Sequence, residues 1–202
     1  MEREIFTIGY SAFELEEFIK VLHKYKIDGV IDVRSNPVSA YFTDYDKNNL
    51  ATSLEREEIF YDNYKEEFGA RQNDKKFFTD GCLDFQKFMN SEQFQVGTSK
   101  VENLINEGHK LALMCAEKYP QNCHRCIMVA RYFSDNDYLV KNILADGEYQ
   151  TQADVEKILV NKYFKDAEQF SLFNDESKMI NISYELQNKK IGYRLTTEDL
   201  SE

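Results

Sequence analysis

The stretch GVIDVRSNP, residues 29–37, decides the fold of this chain. Val30, Ile31 and Val33 make a short, nearly continuous β-branched run, which is typical of a strand buried on both faces in a parallel sheet. The run is closed by Ser-Asn-Pro, a combination that marks a turn. We therefore predict one buried strand here, with its partner strands on either side in the chain.

The residues before this strand predict another strand and a helix. Residues 4–8 form a short β-prone run that ends at Gly9, and apolar residues then recur at helical spacing between Phe13 and Tyr25. A strand, a helix and a second strand in this order form a right-handed parallel unit. The first part of the chain thus predicts an α/β fold.

The same alternation returns in the second half of the chain. We predict a helix around residue 101, a strand over residues 110–115, a helix from about 120 to 133 and a strand over 138–144. Apolar residues between positions 155 and 159 predict a further amphipathic helix. Together these elements predict an α/β fold with an open, mostly parallel sheet and helices on both faces.

Two segments fall outside this alternation. Residues 38–98 are irregular and rich in Tyr, Phe, Asp and Lys, so we expect an aromatic-rich insertion over the sheet after the second strand. Residues 166–202 lack periodicity but hold apolar islands at 170–173 and 179–182. We expect a single domain over residues 1–165 and a C-terminal extension that docks on the domain or on a partner protein.

Composition limits the partners of the protein. The chain has 36 acidic and 25 basic residues, and its formal net charge of −11 repels a nucleic-acid backbone. No apolar run is long enough to cross a bilayer, and the first residues do not resemble a signal peptide. With its four cysteines expected as free thiols, we predict a cytoplasmic protein that binds a small anionic ligand, and neither a membrane nor nucleic acid.

Polar residues follow three predicted strands at their carboxyl ends. They are Ser11 after the first strand, Asp32 and Arg34 at the second, and the segment 115–125 after the third. Because ligands of open parallel sheets bind where these ends converge, we expect one pocket there. Arg34 and Arg125 are predicted to hold an anion in that pocket.

The segment 115–125, CAEKYPQNCHR, carries the candidate catalytic groups. Pro120 suits the first position of a helix, which would place Cys123 and His124 in a first turn whose free amides attract anions. A cysteine there is a candidate nucleophile, and the neighbouring carboxyl and imidazole groups are candidates for moving its proton. The predicted catalytic residues are Cys115, Glu117, Cys123 and His124.

Other roles for the same residues stay open. Cys115 and Cys126 also suit a buried core as small apolar side chains, and His124 also suits a structural position. Asp32 and Arg34, at alternate positions of one strand, also suit a structural salt bridge. A buried ion network that only fixes the loops is therefore the purely structural alternative.

A metal site is a further alternative. Cys115, Cys123, His124 and Cys126 are suitable zinc ligands, but zinc sites usually join two short ligand clusters, and this chain has a single Cys-x-x-Cys. We therefore predict no metal, and the sequence does not identify a cofactor. The sequence also lacks an arginine at phosphatase spacing after a cysteine, a Walker loop and a Gly-x-Gly-x-x-Gly motif.

Four stretches carry a family resemblance: TIGYS at 7–11, VIDVRSNPVS at 30–39, FYDNYKEEFGARQ at 60–72 and CAEKYPQNCHR at 115–125. In this order and spacing they resemble the domain of unknown function 488 family. The resemblance implies an α/β fold without a settled activity, and it adds two matching positions to the site. The predicted substrate-binding residues are then Ser11, Asp32, Arg34, Tyr61, Arg71 and Arg125. Tyr10 and Asn142 depart from the family, in which many members have histidine.

These features predict a small-molecule enzyme or sensor whose anionic ligand is a nucleotide or a sugar phosphate. A second hypothesis is a binding module, in which aromatic residues of the insertion stack on single-stranded nucleic acid or dock a partner protein. The residues concerned are Tyr41, Phe42, Tyr45, Phe60, Tyr61 and Tyr64. A third is sulfur transfer, since the tetrapeptide IDVR also resembles rhodanese-like enzymes, whose reactive cysteine follows a strand.

Overall fold

The computed structural model describes residues 3–39, 41–164 and 175–195. The strands in these ranges are β1 (Glu4–Gly9), β2 (Gly29–Asp32), β3 (Phe60–Asn63), β4 (Phe78–Thr79), β5 (Cys82–Leu83), β6 (Leu111–Cys115), β7 (Leu139–Ile143) and β8 (Tyr149–Thr151). The α-helices are α1 (Leu15–Lys24), α2 (Lys47–Glu55), α3 (Lys65–Phe68), α4 (Phe85–Met89), α5 (Glu92–Asn106), α6 (Arg131–Asp135), α7 (Gln152–Tyr163) and α8 (Glu176–Ile191).

Six strands form one sheet in the order β3-β2-β6-β1-β7-β8, and β4 pairs with β5 in a separate hairpin. The first five strands of the sheet are parallel, whereas β8 at the edge is antiparallel to β7. Gly9 is in register with Cys115 and Asp32 with Met114, so β1, β2 and β6 end together at an edge that we call the carboxyl rim. The predicted α/β fold is confirmed.

Alternate residues of the central strands build an apolar core on each face of the sheet. On the first face, Ile31 and Leu113 pack with α5, α6 and α7. On the second face, Val30 and Met114 pack with α1 and α2. Each fully buried side chain of this size contributes about 1.5–3 kcal/mol to folding, so the two cores fix the strands that carry the carboxyl rim.

One strand of the sheet lies inside the segment that was predicted as an insertion. Phe60–Asn63 forms β3 and pairs in parallel with β2. As an edge strand, β3 has one exposed and three half-buried residues. Its sequence therefore lacks the continuous apolar run that identified β2.

The helix predicted over residues 120–133 is divided into three pieces, so that prediction is wrong in its details. Pro120–Asn122 forms one 3-10 turn, Cys123 is extended with φ −126° and ψ 137°, and a π-helix over Arg125–Ala130 leads into α6. The amide of Cys123 donates to the Pro120 carbonyl (3.1 Å), which closes the turn after three residues. Pro120 consequently does not place Cys123 at the start of a long helix.

The C-terminal helix α8 packs along α7. Met179, in the apolar island at 179–182, contacts Val160 and Phe164 of the preceding segment, whereas the island at 170–173 lies outside the described residues. The docking of the whole extension, and the division into residues 1–165 and 166–202, stay predictions. Within the described ranges, no helix combines the length and the apolar character that a membrane span requires.

Candidate functional site

The loop that follows β6 is held closely against β1 at the carboxyl rim. The amide of Ser11 donates to the carbonyl of Ala116 (3.1 Å). A Cβ atom on Gly9 would lie only 2.0 Å from the carbonyl oxygen of Glu117. Gly9 is therefore required because its missing side chain leaves room for the backbone of the loop.

This loop brings four donor groups together in what we call the thiol cluster: Cys115, Glu117, Cys123 and His124. The Oε2 atom of Glu117 accepts hydrogen bonds from both thiols, at 3.1 Å from the Sγ of Cys115 and 2.8 Å from the Sγ of Cys123. The Nδ1 atom of His124 lies 3.8 Å from the Sγ of Cys115. All four donor atoms lie within 4.8 Å of one another. The structure thus unites the four residues that were predicted as catalytic.

The imidazole of His124 is oriented by the backbone of the neighbouring strand. Its Nε2 atom lies 3.0 Å from the carbonyl oxygen of Val33. A carbonyl oxygen only accepts hydrogen bonds, so Nε2 carries the hydrogen. In the neutral ring, Nδ1 then presents its lone pair to the thiol cluster.

The members of the thiol cluster differ in exposure. Cys115, Cys123 and His124 are 3%, 1% and 9% exposed, respectively. Glu117 is an exposed residue whose carboxylate turns back onto the two thiols. The cluster therefore has three buried members and one exposed residue, whose carboxylate is turned inward.

Arg125 lies behind the cluster and is fully buried. Its Nη1 donates to the carbonyl of Glu117 (2.6 Å), and its Nε donates to the Oγ1 of Thr7 (3.4 Å). Its Nη2 has no hydrogen-bond partner among the described residues. Arg125 thus fixes the loop and places a buried positive charge near Cys115, Cys123 and Cys126.

The cluster and Arg125 shift one another's proton affinities. Burial opposes the charge on Cys123, but the hydrogen bond from Cys115 and the positive charge of Arg125 hold the pKa of Cys123 well below its ordinary value. Burial and the neighbouring Cys123 raise the pKa of Cys115. The same two causes raise the pKa of Glu117. Of the two thiols, Cys123 is therefore the one that loses its proton more readily.

Cys126 points away from the thiol cluster, although it follows closely in sequence. Its Sγ donates to the Oε1 of Gln152 (3.4 Å), which also accepts from Asn142 (3.0 Å). Gln152 in turn donates to the hydroxyl of Tyr184 in α8 (2.8 Å). Burial raises the pKa of Cys126 to about 12. Cys126 is thus a neutral member of a buried hydrogen-bond network.

A second polar group lies at the end of β2. Arg34 donates from Nε and Nη2 to the carboxylate of Asp32, with distances of 2.7–3.0 Å. The hydroxyl of Tyr61 donates to the same carboxylate (2.5 Å). The guanidinium also lies over the ring of Tyr10, 4.9 Å from its centroid. The buried carboxylate of Asp32 is therefore saturated by its own neighbours.

The two polar groups lie on opposite faces of the sheet. Asp32 alternates with Val33, so its side chain lies on the second face with Tyr10, whereas the thiol cluster lies on the first face. Arg34 and Arg125 consequently lie on opposite faces of the sheet, and the structure does not bring them together at the predicted common anion site. The proposed ion network is likewise divided, because the carboxylate of Glu117 faces thiols and not arginines.

The remaining predicted binding residues lie near the rim but do not join the cluster. Ser11 contacts the loop through its backbone amide. Arg71 is exposed; its amide donates to the Oγ of Ser35 (2.8 Å), and its guanidinium lies 5.7 Å from the ring centroid of Tyr193. Neither side chain has a described contact with the thiol cluster.

The aromatic insertion does not offer a broad stacking surface. Tyr45 and Tyr64 are buried, and Phe60 and Tyr61 are half-buried. Tyr41 (93% exposed) and Phe42 (41% exposed) remain accessible. A stacking platform for single-stranded nucleic acid needs several exposed rings along one groove, so this geometry does not favour that hypothesis.

Sequence reasoning missed three supports of the cluster. They are the backbone carbonyl of Val33, the hydroxyl of Thr7 and the absent side chain of Gly9. Thr7 and Gly9 both lie in the TIGYS stretch, which the family resemblance identified without giving a reason for it. The role of a backbone carbonyl leaves no trace in the sequence.

Comparisons with known proteins return one finding. A family model described as Domain of unknown function DUF488 matches residues 14–132, which include the whole thiol cluster. No curated protein and no solved structure matches the chain.

Proposed function

We propose that this chain, which belongs to the Domain of unknown function DUF488 family, binds a zinc ion through Cys115, Glu117, Cys123 and His124. The observation that carries the proposal is the gathering of four donor atoms of the right chemical types within 4.8 Å of one another. Thiolate and imidazole ligands favour zinc over the harder magnesium and calcium ions.

The distances in the thiol cluster suit tetrahedral coordination. Zinc bonds of about 2.0–2.3 Å to nitrogen, oxygen and sulfur place neighbouring ligand atoms about 3.3–3.8 Å apart. The cluster has sulfur–oxygen distances of 2.8 and 3.1 Å and a sulfur–nitrogen distance of 3.8 Å. Exchange of the thiol protons for zinc therefore requires changes of up to about 1 Å in the separations of the donor atoms, which lie within 4.8 Å of one another.

Charge balance also supports zinc in this buried position. A zinc ion with two thiolates and one carboxylate carries a net charge of −1. Arg125, fully buried beside the cluster, supplies the compensating positive charge. A neutral assembly avoids the large cost of an uncompensated charge in the interior.

His124 has the outer-shell contact that is typical of a metal ligand. Its Nε2 donates to the carbonyl of Val33, which directs Nδ1 at the cluster. In the sequence, Cys126 is the candidate for the fourth zinc ligand, but its Sγ contacts Gln152, and the carboxylate of Glu117 lies against the two thiols instead. We thus propose a zinc site where the sequence predicted no metal. Its ligands differ from those of the zinc alternative by having Glu117 in place of Cys126.

A zinc titration of the metal-free chain tests the proposal. We expect one zinc per chain, with a dissociation constant in the nanomolar range or tighter against a chromogenic chelator, as for other structural-type thiolate sites. Cys115→Ser and Cys123→Ser should weaken binding more than the about 10- to 100-fold cost of losing an outer-shell partner.

Cys126→Ser is the matched control, since serine keeps a hydroxyl donor for Gln152 and leaves the thiol cluster intact. It should bind zinc as tightly as the unaltered chain, and thermal unfolding should show that all three variants are folded. Absence of zinc binding by the unaltered chain, or an equal loss in the Cys126 variant, contradicts the proposal.

A further inference from the structure

We infer that a cavity beside the C-terminal helix α8 binds a small carboxylate with an apolar body, and that Arg131 holds the carboxylate group. The cavity has a volume of about 830 Å³. The described residues that line it include no member of the thiol cluster. The inference therefore goes beyond the proposed zinc site and does not depend on it.

Three separate parts of the chain form the walls of this cavity. The β4–β5 hairpin with α4 forms one wall, α8 forms another, and the π-helix and the start of α6 contribute Ile127 and Arg131. Sites for small molecules have volumes of about 300–1,000 Å³ and often lie between separately packed units. This cavity has the size and the position of such a site.

The buried part of the cavity lining is mostly apolar. The large apolar residues there, each at most 6% exposed, are Leu83, Phe85, Met89, Ile127 and Tyr184. Transfer of the apolar part of a ligand from water to these side chains is favourable. The lining therefore suits a ligand with an aliphatic or aromatic body.

Arg131 supplies a largely buried positive charge to the same cavity. Its side chain is 13% exposed, and its Nη2 donates to the Oδ1 of Asn181 (2.6 Å). Its Nε makes no hydrogen bond among the described residues, although the Oδ2 of Asp135 lies 3.4 Å away. The side chain of Asp135 is 57% exposed, so this ion pair is weak. The guanidinium thus has an unused donor for a ligand.

The guanidinium of Arg131 is held in a fixed orientation. It lies over the ring of Tyr184, 4.0 Å from the ring centroid. The hydroxyl of Tyr184 accepts from Gln152 (2.8 Å) and donates to Glu156 (3.1 Å), so the ring is itself anchored. A planar guanidinium that is already oriented loses little entropy when it binds a carboxylate.

Charge favours a carboxylate over a phosphate ester. Of the described lining residues, Arg131 is the one cation that is largely buried, whereas Lys189 and Arg194 are exposed at the mouth. The mouth also has the exposed carboxylates of Asp80 and Glu185, which offset these two charges. A single guanidinium matches the charge of −1 and the two oxygens of a carboxylate, but not the charge of about −2 of a phosphate.

Calorimetric titration of the full chain with three octyl compounds tests the inference. We expect one octanoate per chain, with a dissociation constant below about 1 mM. Octanamide has the same shape without the charge and should bind at least about 10-fold more weakly. Octyl phosphate should also bind more weakly than octanoate, because its second charge has no buried partner.

Variants of Arg131 test its role. Arg131→Gln should lower the affinity for octanoate to that for octanamide, and Arg131→Lys should give an intermediate affinity because it keeps the charge without the planar fork. Arg56→Gln is the matched control, since Arg56 is exposed at the end of α2 and does not line the cavity. It should bind octanoate as the unaltered chain does, and thermal unfolding should show which variants are folded.

A crystal structure of the octanoate complex locates the site without any variant. The carboxylate should lie within hydrogen-bond distance of the guanidinium of Arg131. Octanoate found elsewhere, no binding of octanoate, or octanamide or octyl phosphate bound as tightly as octanoate overturns the inference. So does a folded Arg131→Gln variant that still prefers octanoate to octanamide. None of these results affects the zinc titration.

Discussion

Gly9→Ala connects the sheet directly with the thiol cluster. The added Cβ would lie 2.0 Å from the carbonyl oxygen of Glu117 and 3.0 Å from the Nη2 of Arg125. Ordinary contact begins near 3.4 Å, so the carbonyl must move by more than 1 Å. Overpacking of this kind costs about 1–3 kcal/mol, and we expect a loss of that size in the free energy of unfolding.

The same movement should change the metal site. The displaced peptide carries the side chain of Glu117 and accepts the 2.6 Å hydrogen bond from Arg125. We therefore expect Gly9→Ala to weaken zinc binding about 10- to 100-fold, which is the usual effect of disturbing the support of a metal ligand. Urea unfolding of the metal-free chain measures the first effect, and competition titration with a chromogenic chelator measures the second.

Gly108→Ala separates loss of stability from loss of geometry. Gly108 has φ +100°, and an added Cβ meets no atom within 4 Å, so alanine there strains the backbone without a clash. We expect a destabilisation of about 1–2 kcal/mol with unchanged zinc affinity. A Gly9 variant that is as stable as the unaltered chain and binds zinc equally well would refute the proposed closeness of the loop to β1.

Three further predictions concern the frame around the site. Glu4 lies 2.6 Å from each of two lysine ammonium groups, which lower the pKa of its carboxyl although burial opposes the charge. Glu4→Gln should therefore lower the free energy of unfolding by about 1 kcal/mol at neutral pH. Urea titrations should show that this difference disappears as the pH falls through the lowered pKa. Tyr61→Phe removes the hydrogen bond to the buried Asp32 carboxylate and should cost about 1.5–3 kcal/mol in the same assay, without changing zinc affinity. Thr151→Ala removes the capping box that Thr151 forms with Asp154 at the start of α7, so the melting temperature should fall by an amount equivalent to about 1 kcal/mol. An unchanged stability in any of these variants would contradict the corresponding contact.

The sequence predicted those parts of the fold in which each residue's environment depends on its near neighbours. The apolar run at residues 29–33 identified β2 because a strand covered on both faces is apolar at nearly every position. The edge strand Phe60–Asn63 was missed, since half-buried positions carry no such pattern. The segment 115–125 was recognised as a site because its chemically active residues are crowded into a short length.

What the sequence determined by itself is the alternation of strands and helices, the common rim of the parallel strands and the identity of the four cluster residues. The tertiary structure decided which residues meet there. It placed Arg34 and Arg125 on opposite faces and put Glu117 in the position that spacing had given to Cys126. The physical reason is that the direction of a side chain depends on strand register and on the backbone conformation of single residues in the turns. A shift of one residue along a strand already reverses the face to which a side chain points.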